Sequence, residues 1–201
     1  ITHCLTTDTE KAKSLAESMN ISLSEFKKKR KVILENAAGE GTKLAVTLEE
    51  IASIIKLVPK ELHPQVKVCI DTAHAFGAGL YRWGDPKEVR RFYSDFDRII
   101  GLSYLEVFHL NDSRRSEKKG QDAPFGSRKD RHEYLGQGYI FGSEEDLEGL
   151  CEFFFQARDR KIPVIGEPPV KDRCGESTLG FLQEWNFGSQ LLSASDRPLI
   201  E

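Results

Sequence analysis

The residues best suited to chemistry in this chain are Glu35, Asp71, His109 and Glu167, each of which closes a short apolar run. Carboxylates and imidazoles are the oxygen and nitrogen ligands of divalent metals such as zinc. Three more lie just beyond these ends. Asp71-Thr72-Ala73-His74 puts an imidazole one tight turn past a run-ending carboxylate, and Asp130-Arg131-His132 puts two ligand types at period-two spacing, on one side of an extended segment. Zinc sites take about four ligands, so a set of this size implies more than one ion. Mixed imidazole and carboxylate suits zinc or manganese better than magnesium or calcium. For any one position the plain alternative holds: a polar residue marks where a strand leaves the core. Four strands ending on ligand types argue for a cluster. Arg128 and Arg131, inside the same segment, could grip phosphate oxygens in bidentate fashion or simply face solvent.

These ends must be carried by strands. Residues 31–34, 66–70, 104–108 and 162–165 read as short buried strands. Helical spacing or capping patterns place helices at 9–26, 47–58, 85–101, from 143, and at 177–185. Thr47 with Glu50 and Pro86 with Glu88 are helix-start signatures. Strands alternating with helices mean a parallel sheet with crossover helices. In a (β/α)₈ barrel the C-terminal ends of such strands share one rim, and that rim carries the active site. Between His109 and Ser143 runs a long loop rich in Gly, Ser, Arg, Lys and Asp. Loops longer than about 12–15 residues are functional or disordered in most domains.

Composition narrows the class. The chain has 201 residues with 30% charged and 39% hydrophobic, which suits one globular domain with a substantial core. No apolar run approaches the roughly 20 residues needed to span a bilayer, so no membrane partner is expected. Cys4, Cys69, Cys151 and Cys174 lie far apart, a pattern for a reducing compartment. The net charge of −3 argues mildly against nucleic-acid binding, although two bound divalent ions would raise it to +1. Lys27-Lys28-Lys29-Arg30-Lys31 reads either as a nuclear-import signal or as a solvated helix end. His3 and His63 stand isolated.

At these residues the sequence resembles the endonuclease IV family of apurinic/apyrimidinic endonucleases. The matching segments are LENAAGEG at 34–41, CIDTAHAFGAG at 69–79, HLNDS at 109–113, GSRKDRHEYLGQG at 126–138 and IPVIGEP at 162–168. The resemblance implies a TIM barrel, here incomplete and amounting to the C-terminal half to two-thirds, over residues 1–187 with a tail at 188–201. It implies three zinc ions in an intact member and hydrolysis of double-stranded DNA on the 5′ side of an abasic site. Glu35 would bridge two zincs. Asp71, His109 and Glu167 would complete the second, and His74, Asp130 and His132 the third. Glu35 and Glu167 are the expected catalytic carboxylates. Arg128 and Arg131 are the expected DNA contacts.

The chain departs from the family at its start. The first zinc takes two further histidines, and His3 aligns better with a family histidine that is not a ligand. About two zincs are therefore expected, with slow or no cleavage by this chain. The location expected is intracellular: nuclear in a eukaryote, cytoplasmic otherwise. Two other readings stay open. One is a metal-dependent sugar isomerase or epimerase on the same architecture; the Asp130-x-His132 pair and its Arg-rich loop favour the nuclease. The other is a metal-occupied module that binds DNA or a partner without catalysis.

Overall fold

The computed structural model describes residues 2–3, 31–167 and 169, with the backbone alone for 2–3. The helices expected at 9–26 and 177–185, the tail, the run 27–30, Cys4 and Cys174 lie outside the described residues.

A parallel sheet organises the described residues. Its strands are β1 (Thr2–His3), β2 (Val32–Glu35), β3 (Val66–Asp71), β4 (Leu105–His109) and β7 (Val164–Ile165), neighbouring one another in that order. Sequential parallel order is the wall of a (β/α)₈ barrel. Register aligns the strand ends: His3 pairs with Glu35, Glu35 with Cys69, Asp71 with His109, and His109 with Ile165. A register shift at Val68/Cys69 lets Asp71 stand level with His109. The sheet therefore has a fifth strand, β1, beyond the four expected. Two residues of unremarkable sequence carry no periodicity, which is why only pairing identifies it.

Crossover helices cover the sheet. Helix α1 (Leu48–Leu57) opens on Thr47, whose hydroxyl accepts the Glu50 N–H, and buries Leu48, Ile51, Ile54 and Ile55. It ends at Val58, since Pro59 cannot continue it. A 3₁₀ turn at Lys60–Gln65 leads into β3. Helix α2 (Thr72–Gly77) follows β3 without a loop, capped by Asp71, whose Oδ1 accepts the His74 N–H at 2.9 Å. Helix α3 (Pro86–Ile99) starts as expected from Asp85 and Pro86. Helix α4 (Asp146–Asp159) begins later than residue 143, because Ser143 and Asp146 exchange bonds: each side chain accepts the other's backbone N–H. Between sheet and helices lies an aromatic core of Trp83, Phe92, Phe96, Phe108 and Phe153, all fully buried. Its rings meet largely edge to face, the arrangement favoured by ring quadrupoles.

The long loop is ordered rather than structureless. β5 (Asp112–Ser113) pairs antiparallel with β6 (His132–Glu133). Asp112, fully buried, accepts N–H groups from Ser113, Gly136, Gly138 and Ile140 at 2.8–3.1 Å. Gly138 is required there, since a Cβ would lie 2.3 Å from Asp112 Oδ1.

Candidate metal centre

The rim of the sheet gathers the strand-end groups. His109 Nδ1 stands 3.0 Å from Glu35 Oε1 and 3.0 Å from Glu167 Oε2. Ligand atoms of Glu35, Asp71, His109 and Glu167 all lie within 4.8 Å of one another. Glu35, Asp71 and His109 are buried, whereas the Glu167 side chain is 44% exposed. Glu167 sits two residues past β7.

A second group adjoins the first. His74 Nε2 lies 3.2 Å from Asp130 Oδ2, and His132 Nε2 lies 3.3 Å from Asp130 Oδ1 and 3.6 Å from Asp71 Oδ2. The loop thus delivers Asp130 between the two imidazoles, while Asp71 faces both groups. His74 Nδ1 is 2.9 Å from the Asn36 carbonyl. That acceptor holds Nδ1 protonated and leaves Nε2 as the natural ligand atom.

The electrostatics fit a cation. Burial pushes the His74 imidazole down, yet the carboxylates of Asp71, Asp130 and Glu35 outweigh it and raise it to about 10. His109 is likewise raised, against burial, by Glu35, Glu167 and Asp71. Asp130 is held well below the carboxylate range, first by its bond to His74. In the protein by itself, protons on histidine supply the positive charge that these carboxylates require. His132 Nε2 is buried and makes no hydrogen bond although carboxylates face it. An orphaned nitrogen in a ring of oxygens is what an ion between them would satisfy. Three carboxylates with one imidazole in the first group, and one carboxylate with two imidazoles in the second, suit zinc or manganese.

Several positioning groups were not singled out from sequence. Asn36 Nδ2 donates to the Asp71 carbonyl and its Oδ1 accepts the Asp71 N–H at 2.6 Å, which ties β2 to β3 at the rim. Glu40 Oε1 accepts the Asp130 N–H at 2.9 Å, fixing the ligand loop to the β2 loop. Asn111 bonds both Asp71 and Glu167. The only sequence signal of Asn36 and Asn111 is an amide placed one or two residues after a strand-end ligand. Cys69 is buried beside Glu35 and His109, and its thiol is pushed far up by burial and by the carboxylates of Glu35, Asp71 and Glu167.

Arg128 and Arg131 are both exposed. Arg128 takes a left-handed φ of 55° and donates its N–H to the Gly77 carbonyl. Arg131 folds back on the Asp130 carbonyl and lies 3.6 Å from Glu40. His63 differs from the exposed, isolated residue expected: it is half-buried, with Nε2 2.9 Å from the Val58 carbonyl and Nδ1 3.2 Å from the Tyr104 hydroxyl. His3 stands opposite Glu35 in the backbone register, at the same rim, rather than away from it.

A parallel barrel wall with this rim defines a class of metal-site (β/α)₈ proteins. A family model described as the xylose isomerase-like TIM barrel matches residues 5–152. The chain is 33% identical over 150 residues to the probable endonuclease 4 of Chloroflexus aurantiacus, covering 75% of this chain and 47% of that protein. It is 33% identical over 189 residues to the apurinic-apyrimidinic endonuclease 1 of Saccharomyces cerevisiae, covering 94% of this chain and 46% of that protein. A solved structure described as the crystal structure of AsfvAP:AG aligns with TM-score 0.65 at 22% identity, over 88% of this chain and 58% of the other, and supports the fold. The chain belongs to the xylose isomerase-like TIM barrel family, within its endonuclease IV group. It spans about half the length of the curated relatives it matches.

Proposed function

We propose that this chain carries the metal-binding rim of a zinc-dependent endonuclease that hydrolyses double-stranded DNA on the 5′ side of an abasic site. The observation that carries the reading is the convergence of Glu35, Asp71, His109 and Glu167 within 4.8 Å, flanked by His74, Asp130 and His132. Glu35, Asp71, His109 and Glu167 would hold one ion, and His74, Asp130 and His132, with Asp71 beside them, another, giving about two per chain. Bound zinc would supply Lewis acidity and a water of lowered pKa.

The protein's own residues do the rest. Glu35, buried at the base of the rim, holds His109 through its Oε1. Glu167 is the exposed carboxylate of the set, so it is the one able to accept a proton from an incoming water. Asn36 fixes the His74 tautomer by accepting its Nδ1–H. Arg128 and Arg131 stand exposed on the ligand loop and offer guanidinium groups to the DNA phosphates. An abasic nucleotide has no base to unstack, so extruding it costs little. The reading also favours an intracellular setting, where genomic DNA lies.

The test is a duplex carrying one abasic site, incubated with this chain and with a full-length relative, zinc supplied. Cleavage leaving a 3′ hydroxyl, abolished by a strong chelator and weakened by rising salt, is expected of the full-length protein. This chain is expected to be slower. Sugar isomerisation without DNA cleavage would overturn the nuclease reading in favour of an isomerase.

A further inference from the structure

We propose that Asn111 is a positioning residue for metal binding: a buried carboxamide that sets the orientation of two ligand carboxylates from strands on either side of β4. The inference rests on the metal reading of the rim. Asn111 lies two residues past His109 and is 2% exposed. Its Nδ2 donates to Asp71 Oδ2 at 2.6 Å and to Glu167 Oε2 at 3.3 Å. Its Oδ1 accepts the Glu167 backbone N–H at 2.9 Å. That last bond fixes the amide: a backbone N–H only donates, so the atom facing it is oxygen, and the atom facing the carboxylates is the NH₂ group.

The backbone of Asn111 is itself held. Its N–H donates to Thr72 Oγ1 at 2.8 Å, and Thr72 Oγ1 donates to its carbonyl at 2.7 Å. Thr72 follows Asp71 directly, so the clamp references Asn111 to the end of β3. Asp71 ends β3 and Glu167 follows β7, and β4 runs between those strands. Among the described residues, no other hydrogen bond links the Glu167 carboxylate toward β3. Two anions at one rim repel, and a donor placed between them offsets that repulsion. Each N–H occupies one oxygen lone pair and fixes the plane of its carboxylate. The ligand atoms of Asp71 and Glu167 lie within 4.8 Å of those of His109 and Glu35. Partners of this kind change metal affinity by about 10–100-fold when removed.

The probe is zinc alone, released from the loaded chain to a chromogenic chelator. The protein as it stands should release zinc in two phases, and His109→Ala should remove the phase that belongs to the Glu35–Asp71–His109–Glu167 set. Asn111→Ala should accelerate that phase about tenfold or more and the His74–Asp130–His132 phase much less, since Asp71 Oδ2 also faces His132 at 3.6 Å. Equal rates in wild type and N111A, or equal acceleration of both phases, would overturn the proposal. As a safeguard against poor folding of N111A, Asn111→Asp keeps the shape and the Glu167 N–H acceptor while removing the donor. Its cobalt-loaded form should show a changed visible d–d spectrum; an unchanged spectrum overturns the proposal. A wild-type chain that holds no zinc at all would sink the metal reading itself, an outcome distinct from zinc bound normally in N111A.

Discussion

His109 and His63 show how one residue type serves two ends. His109 joins Glu35 and Glu167 at 3.0 Å each, in a buried rim of carboxylates. His109→Ala is expected to lose one zinc per chain and roughly 3 kcal/mol of stability, because it removes the imidazole that Glu35 Oε1 meets in a buried rim. His63→Ala breaks two hydrogen bonds, to Val58 and to Tyr104, and should cost about 1 kcal/mol with zinc content unchanged. Elemental analysis and denaturant melts separate the two; equal zinc loss would contradict the assignment. Asp112 gives a pH test. Burial raises its carboxyl to about 6 against the pull of four N–H donors. A carboxyl raised on folding binds its proton more tightly in the native state. Its contribution is therefore fully present below the unfolded value of 3.8 and is lost as pH rises to about 6. Asp112→Asn should remove that slope. It should also cost roughly 3 kcal/mol at neutral pH, since an NH₂ group then faces two of the backbone donors. Melts across that pH range decide it; an unchanged slope would mean that another group carries it.

At the scale of elements, strand ends supply Glu35, Asp71 and His109, a short helix supplies His74, and the long loop brings Asp130 and His132 to them. β5 and β6 convert a long polar segment into a frame, with Ser113 paired to His132. Arg114 adds bonds from its N–H to the Arg131 carbonyl and from Nη2 to the His132 carbonyl, both at 2.9 Å. Helix α4 is set by contact of another kind. Gly149 lies against the Trp83–Gly84 backbone, where a Cβ would meet the Trp83 carbonyl at 2.2 Å. Neither atom belongs to a flexible side chain, so Gly149→Ala must push α4 off the aromatic core. A loss of roughly 3 kcal/mol is expected, with near-ultraviolet circular dichroism changed around Trp83. A melt within 1 °C of wild type, on the scale of about 2–4 °C per kcal/mol for a chain this size, would contradict that packing.

For the whole molecule, the metal reading couples the site to the fold. Glu35 and Asp71 are buried in the sheet rim among groups that favour a positive charge, so stripping zinc would remove the strongest source of it. A ligand that binds only the native state stabilises by mass action, about 2.7 kcal/mol at a hundredfold excess over Kd. Chelation should therefore lower Tm by roughly 5–10 °C, reversibly on adding zinc. A Tm indifferent to chelator at neutral pH would count against metal as part of this fold. No described helix is long and apolar enough to cross a membrane.

The sequence alone determined the alternation of strand and helix, and with it the rim. Glu35, Asp71 and His109 are the last residues of their strands because a polar side chain ends a buried apolar run. Thr47, Asp85 and Pro86 placed their helices through local capping chemistry, which acts over three or four residues. Tertiary structure decided what depends on distant partners. β1 exists by pairing with β2, which two residues cannot announce. Asp130 reaches His74 through a frame set by Glu40, Arg114 and Asp112 from other segments. Asn36 and Asn111 look like ordinary loop amides until the sheet brings Asp71 and Glu167 to them. A hydrogen bond between residues 56 apart leaves no period in a sequence, only in space.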